Sequence, residues 1–421
     1  SYDAAGHRGE CGGVVFPQGQ DDLRIIVQAA SKRGIKLFVR GAGTGFSGGS
    51  VPLDGGLVIS TEQMDRVLNL DTVSEEVEVE SGIVNRNLQD YLEPLGLFYP
   101  PDPASFKFST IGGNIAENAG GPRAYKYGVT RRYVRSITWV TASGDVLTTP
   151  MERLSSLLVG SEGTLGVIYS ARLSVVPLPE TYRTSFMAVA GDEKALADAA
   201  SIISTGLCPS VLEYIDSKTM RCVSEYHKIN GLDEGSSYLF IEIDGVEKEV
   251  EAQYRLLEDV CRRRGVSLRT ARNEVEREIL WEIRRSISPS LARRGVTKVN
   301  EDVSLPLGHL EEAVSFIHDL AGELSLDCYI FGHCGDGNLH VNIMTDRRKK
   351  EEMQRVEIFV ESLFERVVEL GGTLSGEHGI GITKSKYLGL VFSAAELDLQ
   401  RRLKGAMDGA GLMNPGKYFT M

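Results

Sequence analysis

"RGAGTGFSGGSVPLDGG", residues 40–56, contains seven glycines and distinguishes between two kinds of nucleotide-binding fold. Gly43, Gly45 and Gly48 match the G-x-G-x-x-G pattern of dinucleotide-binding βαβ units, in which the third glycine opens a helix. Here the stretch instead runs through a Gly-Gly turn into "LVIS" (57–60), a strand-forming segment. Because the loop joins two strands, the sequence excludes the βαβ fold and the NAD site that comes with it.

The glycines still predict an anion-binding loop, since they let backbone N–H groups approach a phosphate closely. Two further glycine-rich stretches follow, "STIGGNIAENAGGPRAYKYG" (109–128) and "GSEGTLGVI" (160–168). Between them "SITWVTASGDVLTT" (136–149) predicts a hairpin. Any one of the loops could be a flexible surface loop. Three on an α+β scaffold predict one extended ligand with a pyrophosphate in its middle.

Length and composition restrict the class of protein. A chain of 421 residues is too long for one hydrophobic core, so two or three domains are expected. The net charge of −12 argues against a nucleic-acid partner, and no apolar run is long enough to span a membrane. The six cysteines show no C-x-x-C spacing, which argues against an iron–sulfur cluster on this chain. We expect a reduced, cytoplasmic protein.

Hydrophobic periodicity predicts a helix over 21–33 and a strand over 35–39. The second half of the chain alternates predicted strands with helices and suggests an antiparallel sheet covered by helices. The predicted helices are 247–264, 308–323 and 347–371, and the predicted strands are "SFMAVA", "SVLEYI", "SSYLFIEID", "TKVNEDVSL", "DCYIFGH" and "NLHVNI".

Two short polar segments are candidates for a metal site. In "FGHCGDGNLHVN" (331–342), a tight turn can bring His333 beside His340, and strand alternation places Asn342 on the same face as His340. In "SGEHGIG" (375–381), glycines flank Glu377 and His378. Two imidazoles and one carboxylate form a recurring metal-ligand set that leaves positions open for substrate. Buried histidines bonded to backbone and a solvated turn are the alternatives.

Taken together, the glycine motifs, "PPDP" (100–103) and "NPGK" (414–417) give the chain a clear resemblance. It resembles the FAD-linked oxidases of the vanillyl-alcohol-oxidase type, in particular the group of glycolate oxidase flavoprotein subunits, D-lactate dehydrogenases and D-2-hydroxyglutarate dehydrogenases. The resemblance spans essentially the whole chain and implies an α+β fold. It implies a two-lobed FAD-binding domain (1–178), a substrate domain with an antiparallel sheet covered by helices (179–393), and a C-terminal segment (394–421) returning to the FAD domain.

The resemblance also implies which residues contact FAD. Many relatives attach the flavin covalently through a histidine in or near the first glycine loop. Residues 40–56 contain no histidine, so noncovalent FAD is expected. The implied FAD-binding residues are Arg40, Gly41, Ala42, Gly43, Thr44, Gly45, Ser47, Gly48, Pro101, Asp102, Ser109, Thr110, Gly112, Gly113, Asn114, Asn118, Gly120, Gly121, Glu162, Gly163, Gly166, Val167, Ile168 and Asn414.

For catalysis, the resemblance implies oxidation of a 2-hydroxy acid to a 2-oxo acid with hydride transfer to flavin N5. A divalent metal would be held by His333, His340 and Glu377, with zinc expected first and manganese or iron as alternatives. His378 matches the base that takes the hydroxyl proton, and Asn342 matches a substrate-contacting residue. Arg284, in "LWEIRRSIS", matches the carboxylate-binding arginine, a task that suits a planar guanidinium.

The substrate prediction depends on "KVNEDVSLP" (298–306). The 2-hydroxyglutarate enzymes carry a lysine two positions before the aspartate, whereas this chain has Asn300 there and Lys298 two positions earlier. A small acid such as D-lactate or glycolate is therefore expected, with D-2-hydroxyglutarate as the alternative. An alkyldihydroxyacetonephosphate synthase-like transferase on the same FAD scaffold is the alternative of another class. It would need a lipid tunnel and a phosphate site, and no clear basic cluster supports these.

The sequence leaves the electron acceptor open. A partner iron–sulfur subunit, an electron-transfer flavoprotein and a quinone are the expected classes, because the chain shows neither a cluster motif nor an NAD site. Association with a membrane is expected only peripherally, through such a partner. A homodimer is among the assemblies that the sequence leaves open.

Overall fold

A computed structural model describes residues 2–53, 55–227, 233 and 235–418. The chain forms two compact units. The first unit consists of Ser1–Gly121, Gly128–Leu178 and Glu377–Met421, and the second of Pro122–Tyr127 and Pro179–Gly376. The sequence placed the return to the first domain at 394 and kept 122–127 in the first domain. The structure differs from that prediction at both points.

The strands in the described residues are numbered in chain order. They are β1 Gly13–Val15, β2 Leu37–Arg40, β3 Leu57–Ser60, β4 Val67–Asp71, β5 Glu76–Glu80, β6 Leu97–Phe98, β7 Val134–Thr141, β8 Val146–Pro150, β9 Gly166–Ser174, β10 Val176–Pro177, β11 Thr181–Val189, β12 Val211–Ile215, β13 Ser237–Gly245, β14 Ser267–Thr270, β15 Thr297–Ser304, β16 Asp327–Gly332 and β17 Asn338–Thr345.

The α-helices are numbered in the same way, and short 3₁₀ turns occur at Glu93–Leu95, Thr130–Arg132, Leu307–His309 and Ser385–Tyr387. A π-turn, Met151–Ser155, precedes α5. The helices are α1 Gln20–Arg33, α2 Asn85–Leu92, α3 Ile111–Glu117, α4 Ala124–Tyr127, α5 Ser156–Leu158, α6 Asp192–Ser204, α7 Ser217–His227, α8 Glu247–Arg264, α9 Glu274–Arg285, α10 Ile287–Leu291, α11 Leu310–Glu323, α12 Lys350–Glu369, α13 Leu388–Val391 and α14 Ala394–Met407.

The first unit contains two main sheets. A parallel sheet has the order β1-β3-β2, and an antiparallel sheet has the order β4-β5-β9-β7-β8. Strands β2 and β3 are parallel neighbours joined by the glycine loop, with no helix among the described residues between them. This confirms the strand–loop–strand prediction. Leu23 and Val27 of α1 pack with Ile59 and Val167 in a common core.

The second unit is built on one seven-stranded antiparallel sheet with the order β14-β11-β13-β12-β16-β17-β15. Helices α7, α9 and α10 contribute Val223, Trp281 and Ile287 to the core on one face. The predicted sheet covered by helices is confirmed, and α8 has the predicted bounds. The edge strand β14 was not predicted, because "SLRT" is short and half-exposed.

Buried ion pairs and hydrogen bonds explain the bounds of the two compact units at these two points. Arg123 lies 3.0 Å from Glu242, and Lys126 lies 2.5 Å from Asp244, so residues 122–127 are anchored to β13. Shortly after Gly376, the backbone N–H groups of Ile380 and Gly381 donate to the carboxylate of Glu162, a residue of the first unit. A buried carboxylate is costly unless it is paired, so these contacts decide to which unit each segment belongs. The partners lie far apart in sequence, which is why no local pattern reveals them.

Candidate functional site

The three glycine-rich stretches line one groove in the first unit. Their common lining brings the three stretches together, and the single ligand stays a prediction. The predicted FAD-binding residues that line it are Gly41, Ala42, Gly43, Thr44, Gly45, Ser109, Thr110, Gly112, Gly113, Asn114, Glu162, Gly163, Gly166 and Ile168.

Two of these glycines allow a close approach of chain segments that any side chain would prevent. A Cβ on Gly41 would lie 2.3 Å from Thr110 Oγ1, and one on Gly112 would lie 2.6 Å from Ser81 Cβ. Both separations are well below van der Waals contact, so the loops close around the groove only because glycine occupies these positions. The first turn of α3 then meets the groove, where Thr110 caps the N–H of Gly113 at 3.2 Å.

Several buried polar atoms in the groove wall show that it fits a polar ligand. Ser81 Oγ, Ser109 Oγ and Asn114 Nδ2 are buried and have no hydrogen-bond partner within the described part of the chain. Buried polar groups are nearly always paired in folded proteins, so atoms of this kind indicate a missing partner. The glycine-lined backbone and these donors and acceptors together suit the long, polar FAD molecule.

The remaining predicted FAD residues lie outside the groove lining. Val167 packs in the hydrophobic core, and Asn414 Nδ2 donates to the carbonyls of Gly49 and Glu162 at 2.9 and 2.6 Å. Val167 and Asn414 thus stabilise the loops by packing and by hydrogen bonding. For all the residues outside the lining, direct contact with the flavin stays a prediction. The set comprises Arg40, Ser47, Gly48, Pro101, Asp102, Asn118, Gly120, Gly121, Val167 and Asn414.

The "SGEHGIG" segment enters the same groove wall, since Glu377 and His378 both line it. The ring centroid of His378 lies 4.9 Å from that of Phe46. Glu162 fixes the segment, because its carboxylate accepts the N–H groups of Ile380 and Gly381 at 2.6 and 2.7 Å. The side chain of Glu162 is therefore occupied by this loop, a role that the sequence did not predict.

Glu117 is a further groove residue that the sequence analysis missed. Burial raises the pKa of Glu117 well above its usual range, and the neighbouring charge of Glu162 raises it further. Burial also raises the pKa of Glu162, although the N–H groups of Ile380 and Gly381 oppose this shift. The local sequence, "AENAGG", gives no sign that these two glutamates meet.

In the second unit, the β16–β17 hairpin brings His333 and His340 together. The Nε2 atoms of the two imidazoles lie 3.5 Å apart, and the ring planes are nearly perpendicular at 89°. Both residues are buried, with 4% and 5% of their surface exposed. The predicted side-by-side placement is therefore observed.

A carboxylate faces the other nitrogen of each imidazole. His333 Nδ1 hydrogen-bonds to Glu213 of β12, and His340 Nδ1 lies 3.7 Å from Asp302 Oδ1 of β15. Glu213 was not among the predicted site residues. The available signal was an acidic residue inside the otherwise apolar "VLEYI", a strand in which every position is buried.

Arg284 binds the same glutamate from α9. Its Nε donates to Glu213 Oε2 at 2.5 Å, and its guanidinium lies 5.3 Å from the centre of the Phe331 ring. Burial of Glu213 opposes its charge, but Arg284 and then His333 outweigh this and lower its pKa to about 2. Glu213 is thus a carboxylate at neutral pH, and the predicted arginine shares this carboxylate with His333.

Asn342, Asn300 and Lys298 lie near this cluster on the paired strands β15 and β17. Asn342 is fully buried, donates to the carbonyl of His340 at 3.1 Å and accepts from Asn300 Nδ2 at 2.6 Å. Lys298 Nζ donates to Ser288 Oγ at 2.7 Å, and burial lowers its pKa to about 8.

A groove lined by glycine-rich loops, in a chain that also carries a large antiparallel sheet, suits an enzyme that binds an extended nucleotide cofactor. Residues 12–150 match the protein family described as "FAD binding domain". Residues 178–418 match the family described as "FAD linked oxidases, C-terminal domain". The chain belongs to the FAD-linked oxidase family and binds FAD.

Three relatives define its type. The chain is 38% identical to the glycolate oxidase subunit GlcD of Bacillus subtilis, with 100% of this chain and 92% of that protein covered. It is 30% identical to the D-lactate dehydrogenase of Anaerostipes hadrus (94% and 87% covered) and to the D-2-hydroxyglutarate dehydrogenase of Stutzerimonas stutzeri (97% and 90% covered). It is an FAD-linked oxidoreductase of the type that includes these three.

Solved structures show the same fold. p-Cresol methylhydroxylase matches with a TM-score of 0.80 at 13% identity, covering 99% of this chain and 91% of that one. Alkyldihydroxyacetonephosphate synthase matches with a TM-score of 0.76 at 19% identity, covering 96% and 76%. Within the described residues, no helix is both long and apolar enough to cross a membrane.

Proposed function

We propose that the chain oxidises a small D-2-hydroxy acid, of the D-lactate or glycolate kind, to the 2-oxo acid. The reaction would use noncovalent FAD and a divalent metal ion, for which zinc is the first candidate. The observation that carries the metal is the 3.5 Å separation of the two Nε2 atoms. Two nitrogens on a tetrahedral zinc ion, each about 2.0–2.1 Å from the metal, lie roughly 3.3 Å apart. A neutral imidazole that donates from Nδ1 presents a lone pair at Nε2, and two such lone pairs this close favour a cation between them.

Glu377 is the proposed third ligand. Asp302, opposite His340 on the paired strand, accepts hydrogen bonds from Ser375 Oγ at 3.0 Å and from the N–H of Gly376 at 2.9 Å. These bonds fix the chain immediately before Glu377. The next residue, His378, is the proposed base that takes the proton of the substrate hydroxyl.

Arg284 is proposed to bind the substrate carboxylate. Glu213 Oε2 lies 2.5 Å from both Nε and Nη2 of its guanidinium, and the planar group has further N–H donors for a second carboxylate. Asn342 would contact the substrate through an amide held in place by Asn300. A divalent cation would stabilise negative charge on the hydroxyl oxygen, and FAD, when bound, accepts the hydride.

The preference for a small acid rests on Asn300 and Lys298. Asn300 is neutral and engaged with Asn342, at the position where the 2-hydroxyglutarate enzymes carry a lysine. Lys298 is directed to Ser288 instead. D-2-Hydroxyglutarate is the second candidate substrate, because one of the relatives at 30% identity is named for it.

Because the Bacillus subtilis relative is named as a subunit of glycolate oxidase, we also infer that electrons leave through a partner. An iron–sulfur subunit is the first candidate, and an electron-transfer flavoprotein or a quinone are the others.

The test measures metal content and anaerobic flavin reduction on wild type, His340→Ala and His309→Ala. His309 is an exposed histidine of the same unit and serves as the control. We expect metal in wild type and His309→Ala, loss of metal in His340→Ala, and faster bleaching of the flavin by D-lactate or glycolate than by D-2-hydroxyglutarate. Equal metal content in all three proteins, with unchanged turnover, would reduce the histidine pair to a structural role.

A further inference from the structure

We infer that Glu213 is a positioning residue that holds the metal-binding His333 and the carboxylate-binding Arg284 as one rigid group, an inference that rests on the function proposed above. Neither the sequence motifs nor the resemblance pointed to this residue. Each of its two carboxylate oxygens has its own partner: Oε1 hydrogen-bonds to His333 Nδ1, and Oε2 accepts from Nε of Arg284 and also contacts its Nη2.

The fold gives Glu213 little freedom. It lies in β12, between β13 and β16, and its surface is 0% exposed. The next residue, Tyr214, pairs with Gly332, the residue that directly precedes His333. The backbone ladder thus sets the carboxylate beside the imidazole, and the contact does not depend on a flexible loop.

The contact with His333 selects one form of its imidazole. A carboxylate at Nδ1 requires a proton there, which leaves the lone pair on Nε2, the atom that faces His340. Outer partners of this kind orient metal ligands, and their loss typically lowers metal affinity about 10–100-fold. The contact with Arg284 engages both Nε and Nη2, so it fixes the orientation of the guanidinium and with it the place where a substrate carboxylate can bind.

One side chain therefore sets two binding events. Removing its charge should weaken the metal and also weaken the substrate, because the guanidinium loses the anchor that orients it. A glutamine is the sharpest substitution, since it keeps the shape but has a single oxygen and an NH₂ group that cannot accept from a second donor.

The chain offers a matched control in Glu242, on the neighbouring strand β13. It is also 0% exposed and pairs with Arg123 and Arg277, both at 3.0 Å. Its carboxylate also accepts from the hydroxyl of Thr184 and the indole N–H of Trp281, and none of these four side chains is a histidine. Glu242→Gln therefore removes a buried, arginine-paired carboxylate from the same sheet without touching the proposed metal ligands.

The experiment titrates Zn²⁺ into metal-stripped, FAD-loaded wild type, Glu213→Gln and Glu242→Gln against a chromophoric chelator, and then measures kcat and KM for D-lactate and glycolate. We expect Zn²⁺ affinity to fall roughly 10–100-fold in Glu213→Gln and KM to rise more than kcat falls, with wild-type Zn²⁺ affinity in Glu242→Gln. If Glu213→Gln does not fold, Glu213→Asp is used, which keeps the charge but shortens its reach, and the same directions are expected with smaller changes.

Unchanged Zn²⁺ affinity and KM in the Glu213 variant would overturn the inference while leaving the metal site intact. An equal loss in the Glu213 and Glu242 variants would also overturn it, because the effect would then be general destabilisation. Failure of the proposed function is recognised separately. In that case wild type itself binds no Zn²⁺, or His340→Ala binds it equally well.

Discussion

The flavin groove and the histidine cluster are built in opposite ways. The groove is made mainly of backbone, where glycines in three short sequence segments allow loops to close around a ligand. The cluster is made of side chains from three strands, the β16–β17 turn and a helix, and His333, Glu213 and Arg284 meet only through the fold. A site built from backbone leaves compact motifs in the sequence, whereas one built from side chains leaves isolated polar residues in apolar strands.

The largest effect is expected for the residue that the mechanism assigns to proton transfer. His378→Asn should keep FAD and metal but lower the rate of flavin reduction by about 10²–10⁴-fold, because the amide cannot act as a base. Stopped-flow reduction and metal analysis on one sample measure both quantities. Glu377→Gln is the paired variant, and it should lose metal first.

Loss of metal in His378→Asn would instead make this histidine a ligand. Near-normal reduction with full metal would exclude both roles. In either case the metal ligands and the base would be a different set of residues from the one proposed.

The same contrast explains how much the sequence could predict. The strand–loop–strand unit, the bounds of α8 and the pairing of His333 with His340 follow from local patterns of glycine and hydrophobic spacing. Contacts between distant segments do not. Glu162 binds a loop more than two hundred positions later, and Arg123 binds Glu242. Nothing near either residue encodes the partner, so the bounds of the two units and the contacts of Glu213 required the structure.

An intermediate effect on stability is expected from substitution of two adjacent glycines of α3, which line the flavin groove. Gly112→Ala should lower the free energy of unfolding of the apoprotein by about 1–3 kcal/mol, because its Cβ would lie 2.6 Å from Ser81 Cβ and 2.9 Å from the Ser81 carbonyl oxygen. Gly113→Ala meets only Thr110 Oγ1 at 3.2 Å, so its stability should change little. Denaturant unfolding of both variants gives the difference.

FAD affinity gives the second measurement on the same pair. Gly113→Ala should bind FAD more weakly despite its normal stability, because the added methyl group keeps the ligand from the backbone. Unchanged affinity would show that the flavin does not approach this turn. Acid precipitation of either holoprotein should leave the yellow colour in the supernatant, and colour retained in the washed pellet would refute the noncovalent linkage.

The smallest effect is expected on the pH dependence of stability and concerns Lys298, on β15 near the histidine cluster. Burial lowers its pKa to about 8, against about 10.4 for a lysine in the unfolded chain. Between these values the unfolded state binds a proton that the folded state does not, so stability rises with pH across this window and the cost of burying the charge is fully present below pH 8. Lys298→Met should therefore show a weaker rise in midpoint denaturant concentration from pH 8 to pH 10. Lys248→Met, which changes an exposed lysine of α8, should keep the wild-type slope.

Part of the slope should survive in Lys298→Met for a reason that lies in the first unit. Burial also lowers the pKa of Lys417 to about 8, and its ammonium donates to the carbonyls of Gly48 and Val51 at 2.6 and 2.5 Å. The lowered pKa of each lysine makes stability rise with pH in the same range. Only the difference in slope between wild type and Lys298→Met therefore reports on Lys298. An identical slope in wild type and Lys298→Met would mean that Lys298 stays charged in the folded protein, and an ammonium near Ser288 would then reopen the case for a substrate with a second carboxylate.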